Sequence, residues 1–167
     1  MKSSDQDSVD SIAAQWNKER PDLEMQPMEI IGRFSRIYKY TSRAIEKCHQ
    51  DFDLKPGEFD VLATLRRSGD PFTLTPSQLF NSMMLSSGAM TNRLDKLADK
   101  GLIKRIHSEE DRRSVYVSLT DKGLELINLA VEQHVNAEAE LLEGLSEKQK
   151  DGLNKALRQW LAVFEDH

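Results

Sequence analysis

Apolar positions recur at helical spacing along most of this 167-residue chain. Val9, Ile12, Ala13 and Trp16 repeat at i, i+3, i+4 and i+7, which predicts a short helix over residues 8–18, ended by Pro21. A long helix is predicted over 27–51, with Phe34, Ile37, Tyr38, Thr41, Ile45, Cys48 and Phe52 on one stripe. A third is predicted over 57–67 and is closed by the turn cluster Ser68-Gly69-Asp70-Pro71. Thr75-Pro76-Ser77-Gln78 is the sharpest local signal. Thr75 caps a helix, Pro76 suits its first position and Gln78 closes a capping box, so a short helix over 76–82 follows. After a break at 83–86 a second helix starts at Ser86 or Ser87, runs to Lys100 and stops at Gly101. Two helices so spaced predict a helix-turn-helix.

Beyond Gly101 the period drops from 3.6 to 2. Residues 103–106 and 115–119 alternate as strands around a polar tip at 107–114, which predicts a hairpin. Helical spacing returns over 121–144. It returns again in a last helix that opens with a Ser146/Gln149 capping box and carries Leu153, Ala156, Leu157, Trp160, Leu161 and Phe164 on one stripe. The expected fold is mainly α with a small β-hairpin wing, a winged helix-turn-helix. With no internal repeat and no dividing linker, residues 1–167 are expected to form one domain. Residues 8–26 would be an added N-terminal helix and linker, 57–120 the winged-helix lobe, and 27–56 with 121–167 the dimerisation helices.

Composition narrows the class. No run of ~20 apolar residues is present, and the polar, acidic N-terminus lacks the signature of a signal peptide. A single cysteine, Cys48, excludes an intrachain disulfide framework. A reduced, cytoplasmic protein is expected, with no membrane partner and no cofactor. The net charge of −5 argues against a simple polycation for nucleic acid, yet it is unevenly spread. Residues 61–120 hold 9 Lys and Arg against 6 Asp and Glu, while both ends are acidic. A small basic face can therefore sit on an acidic body.

The candidate chemistry falls in that central stretch. In the second helix of the pair, Met90, Leu94, Leu97 and Ala98 lie within about 100° of one another and form the inward stripe. Its outer, N-terminal half is small and polar. Ser86, Ser87, Thr91, Asn92 and Lys96 are suited to base edges and phosphates in a major groove. Pro76, Ser77 and Gln78, in the first turn of the preceding helix, complete the expected DNA contacts. Arg112 and Arg113 at the hairpin tip suit a narrow, electronegative minor groove, with Asp111 placed to orient one of them. Taken singly, each feature is also compatible with an ordinary amphipathic helix or a solvated charged turn, the latter reading helped by Glu109 and Glu110.

The run Asp111-Arg112-Arg113-Ser114-Val115-Tyr116-Val117-Ser118-Leu119-Thr120-Asp121-Lys122-Gly123 closely resembles the wing signature of the MarR family of transcriptional regulators. Leu97-Ala98-Asp99-Lys100-Gly101-Leu102-Ile103 resembles the family's exit from the recognition helix. The resemblance covers roughly residues 28–165. It implies a homodimer with interlocked N- and C-terminal helices, binding double-stranded DNA at a palindromic operator, with a wing arginine in the minor groove. Gln15-Trp16-Asn17-Lys18-Glu19-Arg20-Pro21-Asp22 and the segment 57–69 further resemble the urate-responsive branch. That resemblance implies an effector pocket lined by a Trp, an Asp and an Arg, whose matching positions here are Trp16, Asp60 and Arg93. The function so implied is a repressor released from its operator by a small anionic aromatic effector such as urate or a related purine.

The residues taken alone leave bland alternatives. Trp16 can anchor its helix, Asp60 can be a solvated or paired acid, and Arg93 can touch phosphate. Arg93 sits about 80° from the centre of the inward stripe, on its boundary, where it can meet an anion held under the helix. An enzyme is not expected. His49, His107, His134 and His167 show no metal spacing, and no nucleophile or phosphate-loop motif occurs. The remaining alternatives are a regulator responding to phenolic or other aromatic acids, a redox sensor through Cys48, and a helical interaction module without DNA. Cys48 shares a stripe with apolar residues, where thiols react poorly.

Overall fold

The computed structural model describes residues 6–83, 90–107 and 115–165. In chain order the elements are α1 (Ser8–Glu19), α2 (Gln26–Gln50), α3 (Glu58–Arg67), β1 (Thr73–Leu74), α4 (Pro76–Ser82), α5 (Met90–Asp99), β2 (Ile103–His107), β3 (Val115–Leu119), α6 (Asp121–Leu141) and α7 (Glu147–Glu165). They fall into two compact units, Met1–Ala44 and Ile45–His167, so α2 passes from one to the other.

In the first unit, Asp7 caps α1 by accepting the N–H groups of Val9 and Asp10. Arg33 of α2 binds both carboxylates of that first turn, at 2.8 Å from Asp7 and 2.5 Å from Asp10. The Arg33 guanidinium holds the Asp7 carboxyl below its ordinary pKa. Val9 and Ala13 are buried, and Gly32 permits the close approach: a Cβ there would lie 3.3 Å from Val9. The predicted stripe of α1 is thus split, because Ile12 and Trp16 remain exposed. The stripe predicted on α2 differs more. Ile37 and Tyr38 are 60% and 66% exposed, as is much of the apolar surface between Ile30 and Tyr40.

In the second unit α2 ends on a left-handed residue, Asp53 (φ 53°). Leu54 N–H reaches the His49 carbonyl at 3.0 Å and Asp53 N–H reaches that of Gln50 at 2.9 Å, the Schellman pattern. Gly101 (φ 68°) ends the α5 segment in the same way, with Leu102 N–H bonded to the Leu97 carbonyl at 2.9 Å. The Thr75–Gln78 capping box forms as predicted. Leu62, Leu65, Leu79, Leu97, Val117 and Ile127 are fully enclosed and make the centre of the core, which joins α3, α4, α5, β3 and α6.

The predicted hairpin is β2 and β3, antiparallel, with Ile103 opposite Leu119 and His107 opposite Val115. A third strand was not anticipated. β1 pairs with the other edge of β3, Thr73 opposite Ser118, giving the order β1-β3-β2. The fold is mainly helical with a small antiparallel sheet, a winged helix-turn-helix. Among the described residues no helix is long and apolar enough to cross a membrane. α7 buries none of its residues: Leu153, Leu157, Leu161 and Phe164 are all exposed.

Candidate DNA-binding and effector site

α4 and α5 hold the predicted base readers in two different ways. Leu94 and Leu97 bury the inner face of α5 in the core, which turns Thr91, Asn92 and Lys96 out to solvent. Asp95 pairs with Arg105 of β2 at 2.6 Å, tying α5 to the base of the hairpin and neutralising one of its two basic residues. Pro76, Ser77 and Gln78 are exposed at the start of α4. Gln78 is already employed, however. Its Oε1 accepts from Thr75 N–H at 2.9 Å and from the Thr75 hydroxyl at 3.1 Å, so only its amide nitrogen is free for DNA. Arg67 donates to the Ser82 carbonyl and fastens the end of α4 to α3. Ser86, Ser87, Asp111, Arg112 and Arg113 lie outside the described residues.

The predicted effector residues divide between the units: Trp16 is in the first, half exposed, and Asp60 and Arg93 are half-buried in the second. Arg93 projects from α5 onto the first turn of α3. A Cβ on Gly57 would lie 2.4 Å from Arg93 Nε and 2.5 Å from Cζ, so the guanidinium rests directly on the glycine backbone. Gly57 also has φ 81°, a left-handed conformation that costs a side-chain-bearing residue. Its role was missed because Gly57, the first residue of the helix predicted over 57–67, read only as a boundary; in the structure it caps α3 from outside. Arg93 Nη1 is buried and has no hydrogen-bond partner. Asp60 stands one turn after Gly57, yet no ion pair joins it to Arg93 among the described residues. A buried guanidinium nitrogen without a protein acceptor is costly unless a water or an anion takes its hydrogen bond.

Beside this seat lies a cluster that sequence spacing did not reveal. His49, at the end of α2, stacks on Phe59 of α3 at 4.1 Å between ring centroids. His49 Nε2 is 3.1 Å from Nδ1 of His134 on α6, and His134 Nε2 is 3.3 Å from Glu138. Burial, with the neighbouring His134, pushes the His49 imidazole below its ordinary pKa, against the opposing pull of Asp60 and Glu46. The two histidines are not part of a metal-binding group among the described residues. Cys48 borders an open cavity of ≈350 Å³ with Asp51, Gln133, Asn136 and Glu140. Burial and the Asp51 carboxylate push its thiol pKa up, which lowers the thiolate fraction that a redox sensor needs.

A helix pair with an exposed polar second helix, followed by an antiparallel sheet in which β2 and β3 form a hairpin, defines the winged-helix transcriptional regulators. Residues 54–115 match the MarR family. The HTH-type transcriptional regulator PecS of Dickeya dadantii is 44% identical over 149 residues, covering 89% of this chain and 90% of that protein. The chain belongs to the MarR family and is a DNA-binding transcriptional regulator; its relatives are regulators, not enzymes. Solved structures share the fold. A mutant MarR from E. coli complexed with operator DNA gives a TM-score of 0.67 at 24% identity, covering 87% of this chain and 97% of that one. Bordetella bronchiseptica BpsR, whose DNA binding is regulated by 6-hydroxynicotinic acid, gives 0.67 at 21%, covering 77% and 90%.

Proposed function

We propose that this protein is a dimeric repressor that binds a palindromic operator and leaves it when a small anionic aromatic ligand, urate or a related purine, engages Arg93. In this reading α5 enters the major groove with Ser86, Ser87, Thr91, Asn92 and Lys96 toward the bases. Pro76, Ser77 and Gln78 meet the backbone. The wing reaches the minor groove through Arg112 and Arg113, with Asp111 orienting one of them. The likeness to MarR bound to its operator supports the DNA geometry. The exposed apolar face of α7 supports the dimer, since such a face is expected to be covered.

The observation that carries the ligand response is the unpaired, buried Nη1 of Arg93 on the base-reading helix. A planar anion paired with that fork, close to the carboxylate of Asp60, stabilises a position of α5 unlike the one that fits DNA. The resemblance to the urate-responsive branch adds Trp16 as an aromatic wall. A second effector class, hydroxylated aromatic acids, is favoured by BpsR and its 6-hydroxynicotinic acid. Redox sensing through Cys48 is disfavoured by its raised pKa.

The test is binding to DNA from the protein's own promoter region, titrated with urate, other purines, hydroxybenzoates and peroxides. Release by a planar anion is expected, and Arg93→Ala should abolish it. Trp16→Phe should keep DNA affinity and raise the ligand concentration needed. If Trp16→Phe and Asp60→Asn both respond as wild type to every anion tried, the effector site is not at these residues.

A further inference from the structure

α5 and the residue that follows it carry two cations seven positions apart, Arg93 and Lys100, which share a helical face. Both end on the short corner between α2 and α3. Arg93 rests on Gly57. Lys100 Nζ donates to Glu58 Oε2 at 2.8 Å and to the Asp53 carbonyl, with the Asp53 carboxylate at 3.4 Å. Glu58 is only 1% exposed. Its Oε2 also accepts the Lys55 N–H at 2.9 Å, while Oε1 is buried without a partner. Partial burial disfavours the Lys100 ammonium, yet Glu58 and Asp53 outweigh it and hold its pKa above the ordinary value.

Two apolar side chains would fill this place at less cost, because an enclosed carboxylate with one oxygen unsatisfied is poor as pure stabilisation. What the pair supplies is direction. The far side of the same helix end is also fastened: Lys122 Nζ donates to the Lys100 carbonyl at 2.8 Å, and the Thr120 hydroxyl donates to that of Gly101 at 2.7 Å. Thr91 and Asn92 sit at the other end of α5. Arg93 to Lys100 spans roughly 10 Å of helix axis, so a 1 Å shift at Lys100 tilts α5 by about 5°.

We propose that Glu58 and Lys100 are positioning residues for DNA recognition: their ion pair, buried at its Glu58 end, sets the tilt at which α5 presents Thr91 and Asn92 to the bases. The inference rests on α5 being the base-reading helix. It makes the α2–α3 corner the common seat of Arg93 and Lys100, one exchangeable with ligand and one fixed, while Lys96 faces solvent.

The test compares wild type, Glu58→Met, Lys100→Met and the double variant. Binding is measured to the promoter-region fragment and to a random-sequence duplex across a salt series, alongside thermal melting. The single variants should melt early, Lys100→Met the more so, since it strands the enclosed Glu58 carboxylate. The double variant should melt near wild type and keep the wild-type salt slope, while its preference for the promoter fragment falls about tenfold, the scale of one lost base contact. An unchanged preference overturns the proposal, because the pair then only stabilises. A shallower salt slope with equal loss on both duplexes also overturns it, because Lys100 is then a phosphate contact. Should the double variant fail to fold, Glu58→Asp keeps the charge and displaces Lys100, and the same loss of preference at an unchanged slope is required of it. Asn92→Ala and Lys96→Ala separate the two failures. If neither changes the preference, the base-reading role of α5 fails and takes this inference with it. If either does and the double variant does not, only the positioning role falls.

Discussion

His49 is 8% exposed, sandwiched against Phe59 and in hydrogen-bond range of His134, and its neutral form is the one the fold accommodates. Its folded pKa lies below the unfolded value of 6.5, so the unfolded chain binds the extra proton first as pH falls. Stability from this group is full above 6.5 and is lost below it, toward the folded pKa, with a slope of at most ~1.4 kcal/mol per pH unit for one proton. Asp60 and Glu46 pull the His49 pKa back up and moderate the loss. Melting curves between pH 7.5 and 5 should show the decline, and His49→Gln should flatten it; parallel pH profiles for the two proteins would remove His49 as the cause. Gly57 makes the other residue-scale prediction. Gly57→Ala meets both a left-handed φ and the Arg93 guanidinium, and should cost ~1–3 kcal/mol of stability by denaturant unfolding. Arg93 must move to admit the methyl group, so the ligand response should weaken as well.

At the scale of elements, α4 depends on its cap. It has seven residues, too few to persist by propensity, and Thr75 and Gln78 satisfy each other's backbone N–H groups at its start. Thr75→Ala should destabilise the protein by ~0.5–2 kcal/mol in urea unfolding, and an unchanged midpoint would contradict the role given to the cap. This cap, the Gly101 stop and the strands of the hairpin were legible because each is written in neighbouring residues. β1 was not: Thr73 and Leu74 are too few to show alternation, and they become a strand only by pairing with residues 117 and 118. The His49–His134 contact joins residues 85 positions apart and leaves no local trace. Periodicity also reports that a stripe is apolar without naming what covers it. Hence the stripes of α2 and α7 were read correctly as apolar, although Ile37, Tyr38, Leu161 and Phe164 stand exposed in the single chain. Of the candidate site, the inward and outward faces of α5 were legible, as was the boundary place of Arg93. The seat that Gly57 makes for it was not.

For the whole molecule, charge and apolar surface are sorted along the chain. The basic excess lies between residues 61 and 120, which contain the helix pair and the wing, and the acidic excess lies in the terminal helices. Acidic ends keep the body from binding nucleic acid indiscriminately, so attraction is confined to the face that reads. In the proposed dimer the exposed apolar residues of α7 meet a second copy. A two-fold axis would then set the two α5 helices one DNA turn apart, ~34 Å. Dimeric operator binding is tested most directly by the mass of the complex in sedimentation with its promoter-region duplex. It predicts two chains on each duplex at micromolar protein, with the complex dissolved by the effector anion. One chain per duplex, or a protein that stays a single chain and binds random DNA as tightly, would contradict it.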